Sequence, residues 1–152
     1  MGLKTLIARQ YREQINEVRK KLEGLSTPSE GWLRTARKAL GMSGAQFARR
    51  AGVSRALVSK TEISENSGSV TLKTMQQMAA AMNCRFVYAV VPERDVEDIL
   101  DARAHEKASE IVKQAGVHMA LEDQALSNER LHAEIERLGK ELRDTPSNLW
   151  DE

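Results

Sequence analysis

Apolar residues recur by threes and fours over most of this chain, and by twos in one short stretch. Leu3, Ile7, Tyr11, Ile15, Val18, Leu22 and Leu25 form the first series, with Arg9, Arg12, Arg19, Lys20 and Lys21 on the other face. That spacing predicts an amphipathic helix over 3–25. Its basic face suits either a DNA-touching arm or a solvated surface on a helix packed within its own or a partner subunit. Residues 26–31 (Ser-Thr-Pro-Ser-Glu-Gly) read as a linker, because Pro28 disfavours helix at Thr27 and suits a turn. Trp32, Leu33, Ala36 and Leu40 then predict an inward stripe on a helix over 32–40, with Arg34, Arg37 and Lys38 outward.

Ser43 to Glu62 divides into two short helices around a turn. Ser43 is placed to cap the first, with Gln46 at the capping-box position, and Phe47, Ala48 and Ala51 share one face. Gly52 supplies a left-handed C′ residue, Val53 plugs the angle and Ser54 caps the second helix. There Leu57, Val58 and Thr61 are expected to face inward, leaving Arg55, Ala56, Ser59 and Lys60 outside. Two helices crossed through a glycine turn, the second with a short-chained basic outer face, describe a DNA-binding helix-turn-helix. An ordinary αα-hairpin is the bland alternative, but it does not require all of these residues at fixed offsets.

Beyond this, 63–70 reads as a loop, and Thr71 caps a helix striped by Leu72, Met75, Met78, Ala79 and Met82. Residues 85–91 switch to period two, with Val87, Ala89 and Val91 alternating with Phe86, Tyr88 and Val90, and Pro92 closes the run. That predicts one lone β-strand, whose unpaired backbone groups call for a partner. Pairing with its own copy through Phe86, Val87, Tyr88, Ala89 and Val90 makes a homodimer with isologous contacts. Helix returns after Glu93 on Val96, Ile99, Leu100, Ala104, Ala108, Ile111, Val112 and Ala115, and Gly116 is expected to end it. A last helix over 117–143 carries Leu121, Gln124, Asn128, Leu131, Ile135, Leu138 and Leu142, either a short heptad seam or a face packed on the preceding helix. From Asp144 the chain reads as frayed.

The segment from Trp32 to about Asn83 resembles the Cro/repressor (XRE) helix-turn-helix proteins. Residues 31–34 (Gly-Trp-Leu-Arg), 39–43 (Ala-Leu-Gly-Met-Ser) and 84–92 (Cys-Arg-Phe-Val-Tyr-Ala-Val-Val-Pro) are similar to the family called mobile mystery protein A. That resemblance implies a mostly α fold: a Cro/repressor-like helix-turn-helix bundle with one dimerising β-strand and flanking N- and C-terminal helices. Residues 1–26 would be the amphipathic helix, 27–92 the DNA-binding domain with its strand, and 93–152 an acidic helical region. It also implies a Fic-domain partner gene. Fic inhibitors often carry Ser/Thr-x-x-x-Glu-Gly/Asn on a helix. Ser26…Glu30-Gly31 and Thr61…Glu65-Asn66 fit that loose pattern, although Pro28 interrupts the first and the second is expected to straddle a helix end.

The net charge of +1 conceals two opposed regions. Residues 31–92 hold nine Lys/Arg against two acids, whereas 93–152 hold eight against sixteen. The basic middle suits phosphates, and the acidic end suits helix pairing or another protein. The lone Cys84 forms no intrachain disulfide, and His105, His118 and His132 lack metal spacing. With no phosphate-cradling glycine loop or nucleophile elbow, neither an enzyme nor a cofactor or metal is expected. No apolar run reaches membrane-spanning length, so a cytoplasmic protein is the expectation.

The functional expectation is a dimeric, sequence-specific transcriptional repressor of its own operon, bound to a palindromic double-stranded operator. An antitoxin that binds and inhibits a Fic-type enzyme directly is the alternative. Arg55, Ala56, Ser59 and Lys60 would contact bases, and Ser43, Gly44, Ser54, Arg34 and Lys38 would contact phosphates.

Overall fold

A computed structural model describes residues 2–121 and 127–152. Its elements are α1 (Leu3–Lys21), α2 (Trp32–Ala39), α3 (Gly44–Ala51), α4 (Arg55–Ser67), α5 (Leu72–Ala81), α6 (Val96–Leu121) and α7 (Asn128–Arg143), followed by a 3₁₀ turn, Pro146–Trp150. They fall into two compact units, Glu23–Ala89 and Met1–Leu22 with Val90–Glu152.

The unit Glu23–Ala89 holds α2 to α5 around Leu33, Phe47, Ala48, Val58, Met75, Met78 and Met82, all buried. The cap chemistry places the helix starts. Ser43 and Gln46 form a reciprocal capping box, while Ser54 and Thr71 each accept from the backbone N–H three residues on. Gly52 adopts φ 70° and ψ 31°, the left-handed conformation that lets the chain turn sharply out of α3. The predicted loop over 63–70 is a correction: α4 continues through Ser67 and ends at Gly68, the first residue there in the left-handed conformation. Trp32, Leu40 and Leu72, expected inward, stay substantially exposed.

The predicted β-strand is a second correction. Residues 84–92 adopt no regular secondary structure, and among the described residues no strand forms. Period-two patterning fixes only where side chains alternate. A strand also needs a neighbouring edge, and no other stretch of the described chain supplies one. Val87, Tyr88 and Val90 are accordingly exposed, and Phe86 alone packs on the core while stacking 5.9 Å from Tyr88.

In the other unit, α6 and α7 pack along Ala108, Val112 and Ile135, flanked by Leu131, Leu138 and Leu142. Gly139 faces this seam, and a Cβ built there would lie 3.9 Å from the Ala104 carbonyl, at ordinary contact distance, so the packing tolerates an alanine there. The apolar face of α7 thus packs on the preceding helix. Asn128 is exposed in its first turn, and Gln124 lies outside the described residues. Gly116 does not end α6, which runs on to Leu121; a glycine inside a helix costs only about 1 kcal/mol and need not stop it. From α1, Asn16 accepts from the Val96 N–H at 2.8 Å and donates to Glu97 at 2.7 Å, tying the start of α6. Yet α1 buries no residue, and Leu3, Leu6, Ile7, Tyr11 and Ile15 remain exposed.

The frayed end is a third correction. Leu149 is fully buried against Leu100 and Ala104, with Val96 and Leu142 beside them. Arg103 donates to the Leu149 carbonyl at 2.8 Å and places its guanidinium over the Trp150 ring, while Lys107 donates to the Asn148 and Asp151 carbonyls. Polar composition hid this anchor, because one leucine carries it. Leu149→Ala should therefore destabilise this unit by roughly 2–5 kcal/mol, as large-to-small changes at buried sites do. Thermal unfolding followed by circular dichroism checks this, and a midpoint unchanged from wild type would mean the tail is not docked.

Candidate nucleic-acid interface

The second helix of the motif is held in place by its own inner carboxylates. Glu62 is 3 % exposed, and it accepts from Arg37 Nε at 2.7 Å, Arg37 Nη2 at 3.2 Å and Arg34 Nε at 3.0 Å. Burial pushes this carboxyl up, but the hydrogen bonds and charges of Arg37 and Arg34 outweigh it and hold the group below the usual carboxylate range. Arg37 is held above its ordinary value by the same Glu62 contact, and it also donates to the Met42 carbonyl at 3.1 Å, bracing the turn before α3. One turn further along α4, Glu65 accepts from the backbone N–H groups of Trp32 and Leu33 at 2.5 and 2.9 Å. It thereby satisfies two orphan donors of α2 and puts a negative charge at the positive end of that helix. Gly31 is required for that contact. It has φ +83°, and a Cβ there would lie 2.9 Å from the Asn66 amide oxygen and 3.0 Å from the Glu65 carboxylate.

Arg37 was expected to face outward with Arg34 and Lys38. It is instead mostly buried, because an inward carboxylate waits for it on α4. Arg34 points to the same carboxylate and is one-third exposed, and Lys38 pairs with Glu30 at 2.7 Å on the surface. The proposed phosphate contacts from α2 thus begin from intramolecular ion pairs. The glutamates of both Fic-like patterns are engaged inside this chain as well, Glu30 by Lys38 and Glu65 by the start of α2. Thr61 to Asn66 lie within α4 rather than across a helix end.

Arg55, Ala56, Ser59 and Lys60 are all exposed along α4. Neither Arg55 nor Lys60 forms an ion pair among the described residues. Ser43 and Ser54 each accept a backbone N–H through the hydroxyl oxygen, which leaves the hydroxyl proton free to donate. The N–H groups at Gly44 and Ala45, and at Arg55 and Ala56, belong to first turns, where no intrahelical acceptor exists. Two helix starts therefore offer donors of the kind that bind phosphate oxygens.

Leu57 corrects the predicted pattern. Expected inward, it is 43 % exposed beside Ala56, whereas Val58 and Thr61 are buried as their spacing requires. Ile63, assigned to a loop, is helical and 62 % exposed. A helical wheel drawn from Val58, Thr61 and Glu62 rather than from the apolar residues finds both; the pairing of Glu62 with residues 25 and 28 positions earlier has no local signal.

Residues 33–88 match the family model described as Helix-turn-helix, and this segment is a Cro/C1-type (XRE) helix-turn-helix domain. No curated protein and no solved structure matches the chain. Among the described residues no helix is long and apolar enough to cross a membrane.

Glu62 makes the domain acid-sensitive. Its folded value lies below the ordinary 4.5, so its contribution is present above that value and is lost as pH falls through the lowered one. Glu62→Ala should remove this dependence and cost on the order of 3 kcal/mol, since Arg37 is left buried without its partner. Urea titrations between pH 3 and 7 check both outcomes; the variant's stability curve should be flatter below pH 4.5 than that of the wild type.

Proposed function

We propose that this protein is a sequence-specific DNA-binding transcriptional regulator that enters the major groove with the first turns of α4. One observation carries the reading. Within a segment matching the helix-turn-helix family, the outward face of α4 carries Arg55, Ala56, Ser59 and Lys60 with no ion pair among the described residues. Arg55 opens the helix, where base edges are reached, and its guanidinium suits bidentate donation to guanine. Ser43, Gly44 and Ser54 set orientation on the phosphates. Arg34 and Lys38 assist once a phosphate competes for their present carboxylates.

Homodimerisation is part of the proposal. Residues 85–91 belong to no helix or strand, and Val87, Tyr88 and Val90 are exposed along them. A second copy of Phe86, Val87, Tyr88, Ala89 and Val90, related by a two-fold axis, supplies the missing edge. Two domains so joined suit a palindrome with half-sites about 34–36 Å apart. Autoregulation beside a Fic-domain partner gene extends the proposal on the sequence resemblance alone.

Arg55→Ala should weaken binding to a selected operator by about 1–3 kcal/mol more than binding to random duplex. Fluorescence anisotropy on both duplexes decides; equal losses would reduce Arg55 to a phosphate contact. Val87→Pro removes a ladder donor and should give monomers with weak operator binding. A wild-type protein that sediments as a monomer at micromolar concentration, or a Val87→Pro variant that remains dimeric, excludes pairing through this segment.

A further inference from the structure

The leucine in the first turn of α4 lies outside the buried core of the domain. Phe47 and Val58, the neighbouring large apolar residues, are fully buried, and Leu57 stands outside their cluster at 43 % exposure. Its backbone is nevertheless held at both ends. The Leu57 N–H donates to Ser54 Oγ at 3.1 Å, and its carbonyl accepts from Thr61 Oγ1 at 2.7 Å. The Cβ is therefore fixed in the first turn, between Ala56 and the buried Val58. A rigidly presented apolar group at the end of a helix that enters DNA can recognise only an apolar feature of a base edge. In the major groove the four base pairs present donors, acceptors and a single apolar group, the thymine 5-methyl.

We infer that Leu57 reads a thymine 5-methyl group in the major groove, so that each half-site carries a thymine facing the first turn of α4. This rests on the DNA-binding reading above and adds a specificity element to it. Arg55 and Ser59 lie on the other flank of the exposed face, and Lys60, one turn on, is the exposed polar group nearest Leu57 around the helix. The leucine adds a contact that excludes water from one methyl and discriminates thymine from cytosine. Placing the small Ala56 next to Leu57 leaves room for the base edge to approach.

The test uses the full chain and a duplex site selected from random sequence. Each thymine of that site is replaced in turn by deoxyuridine, which keeps Watson–Crick pairing and removes only the methyl. One position per half-site should lose about fourfold in affinity, the amount carried by one buried methyl. Leu57→Ala, a favourable change at an exposed helix position, should bind the thymine and deoxyuridine duplexes equally at that position. Lys60→Ala should bind both more weakly while keeping the fourfold ratio. If no deoxyuridine substitution matters, the inference is overturned while DNA binding stands. A ratio that survives Leu57→Ala but vanishes in Ile63→Ala assigns the methyl to Ile63 and overturns it equally. If no sequence is enriched over random duplex, the DNA-binding reading fails and takes this one with it.

Discussion

Two carboxylates on the inner side of α4 determine how that helix is presented. Glu62 is buried, which by itself would raise its proton affinity and destabilise the charged form, and two guanidiniums from α2 reverse this. Such a buried pair adds little net stability, because desolvation consumes most of the Coulombic attraction. Its effect here is geometric. Arg37 ties Glu62 and the Met42 carbonyl together, so α2, the turn before α3 and the middle of α4 share one polar centre. Glu65 adds a second tie through the start of α2, and Gly31 makes space for it. A helix held at two successive turns cannot rotate about its own axis without breaking a charged contact.

That constraint explains the division of labour along α4. The buried side, Val58, Thr61 and Glu62, is committed to the domain. The outer side keeps Arg55, Ala56, Leu57, Ser59, Lys60 and Ile63 in solvent on a rigid support. Positions read by DNA gain from such rigidity, since side-chain and backbone ordering is then complete before association. The methionine-rich core beneath it, Met75, Met78 and Met82, fills irregular space between short helices without demanding a single shape.

The unit formed by α1, α6 and α7 follows different rules. Buried Ala104 and Ala108 face the partners of α6, and Leu149 folds the end of the chain back onto it. Its surface is rich in acids, as the sixteen carboxylates of residues 93–152 require. Within that acidic surface the cations Lys107 and Arg103 turn inward to the carbonyls of the C-terminal turn.

The local chemistry of the fold was written in the sequence. Ser43 with Gln46, Gly52, Ser54 and Thr71 determine where three helices begin and where one turns, because each acts on backbone groups within four residues. The helix-turn-helix and the exposed positions 55, 56, 59 and 60 follow from that spacing alone. What tertiary structure decided lies at longer range. Whether Arg37 faces water or Glu62, whether α4 stops at Glu62 or runs to Ser67, and whether residue 149 is tail or core all depend on partners tens of positions away. Leu57 shows the same limit from the other side. Hydropathy placed it inward, but an inward face is defined by what packs on it, and the buried side of α4 is Val58, Thr61 and Glu62, with Leu57 at its margin. Residues 85–91 carry the period of a strand, yet a strand exists only with a neighbouring edge, which a lone segment of one chain does not contain.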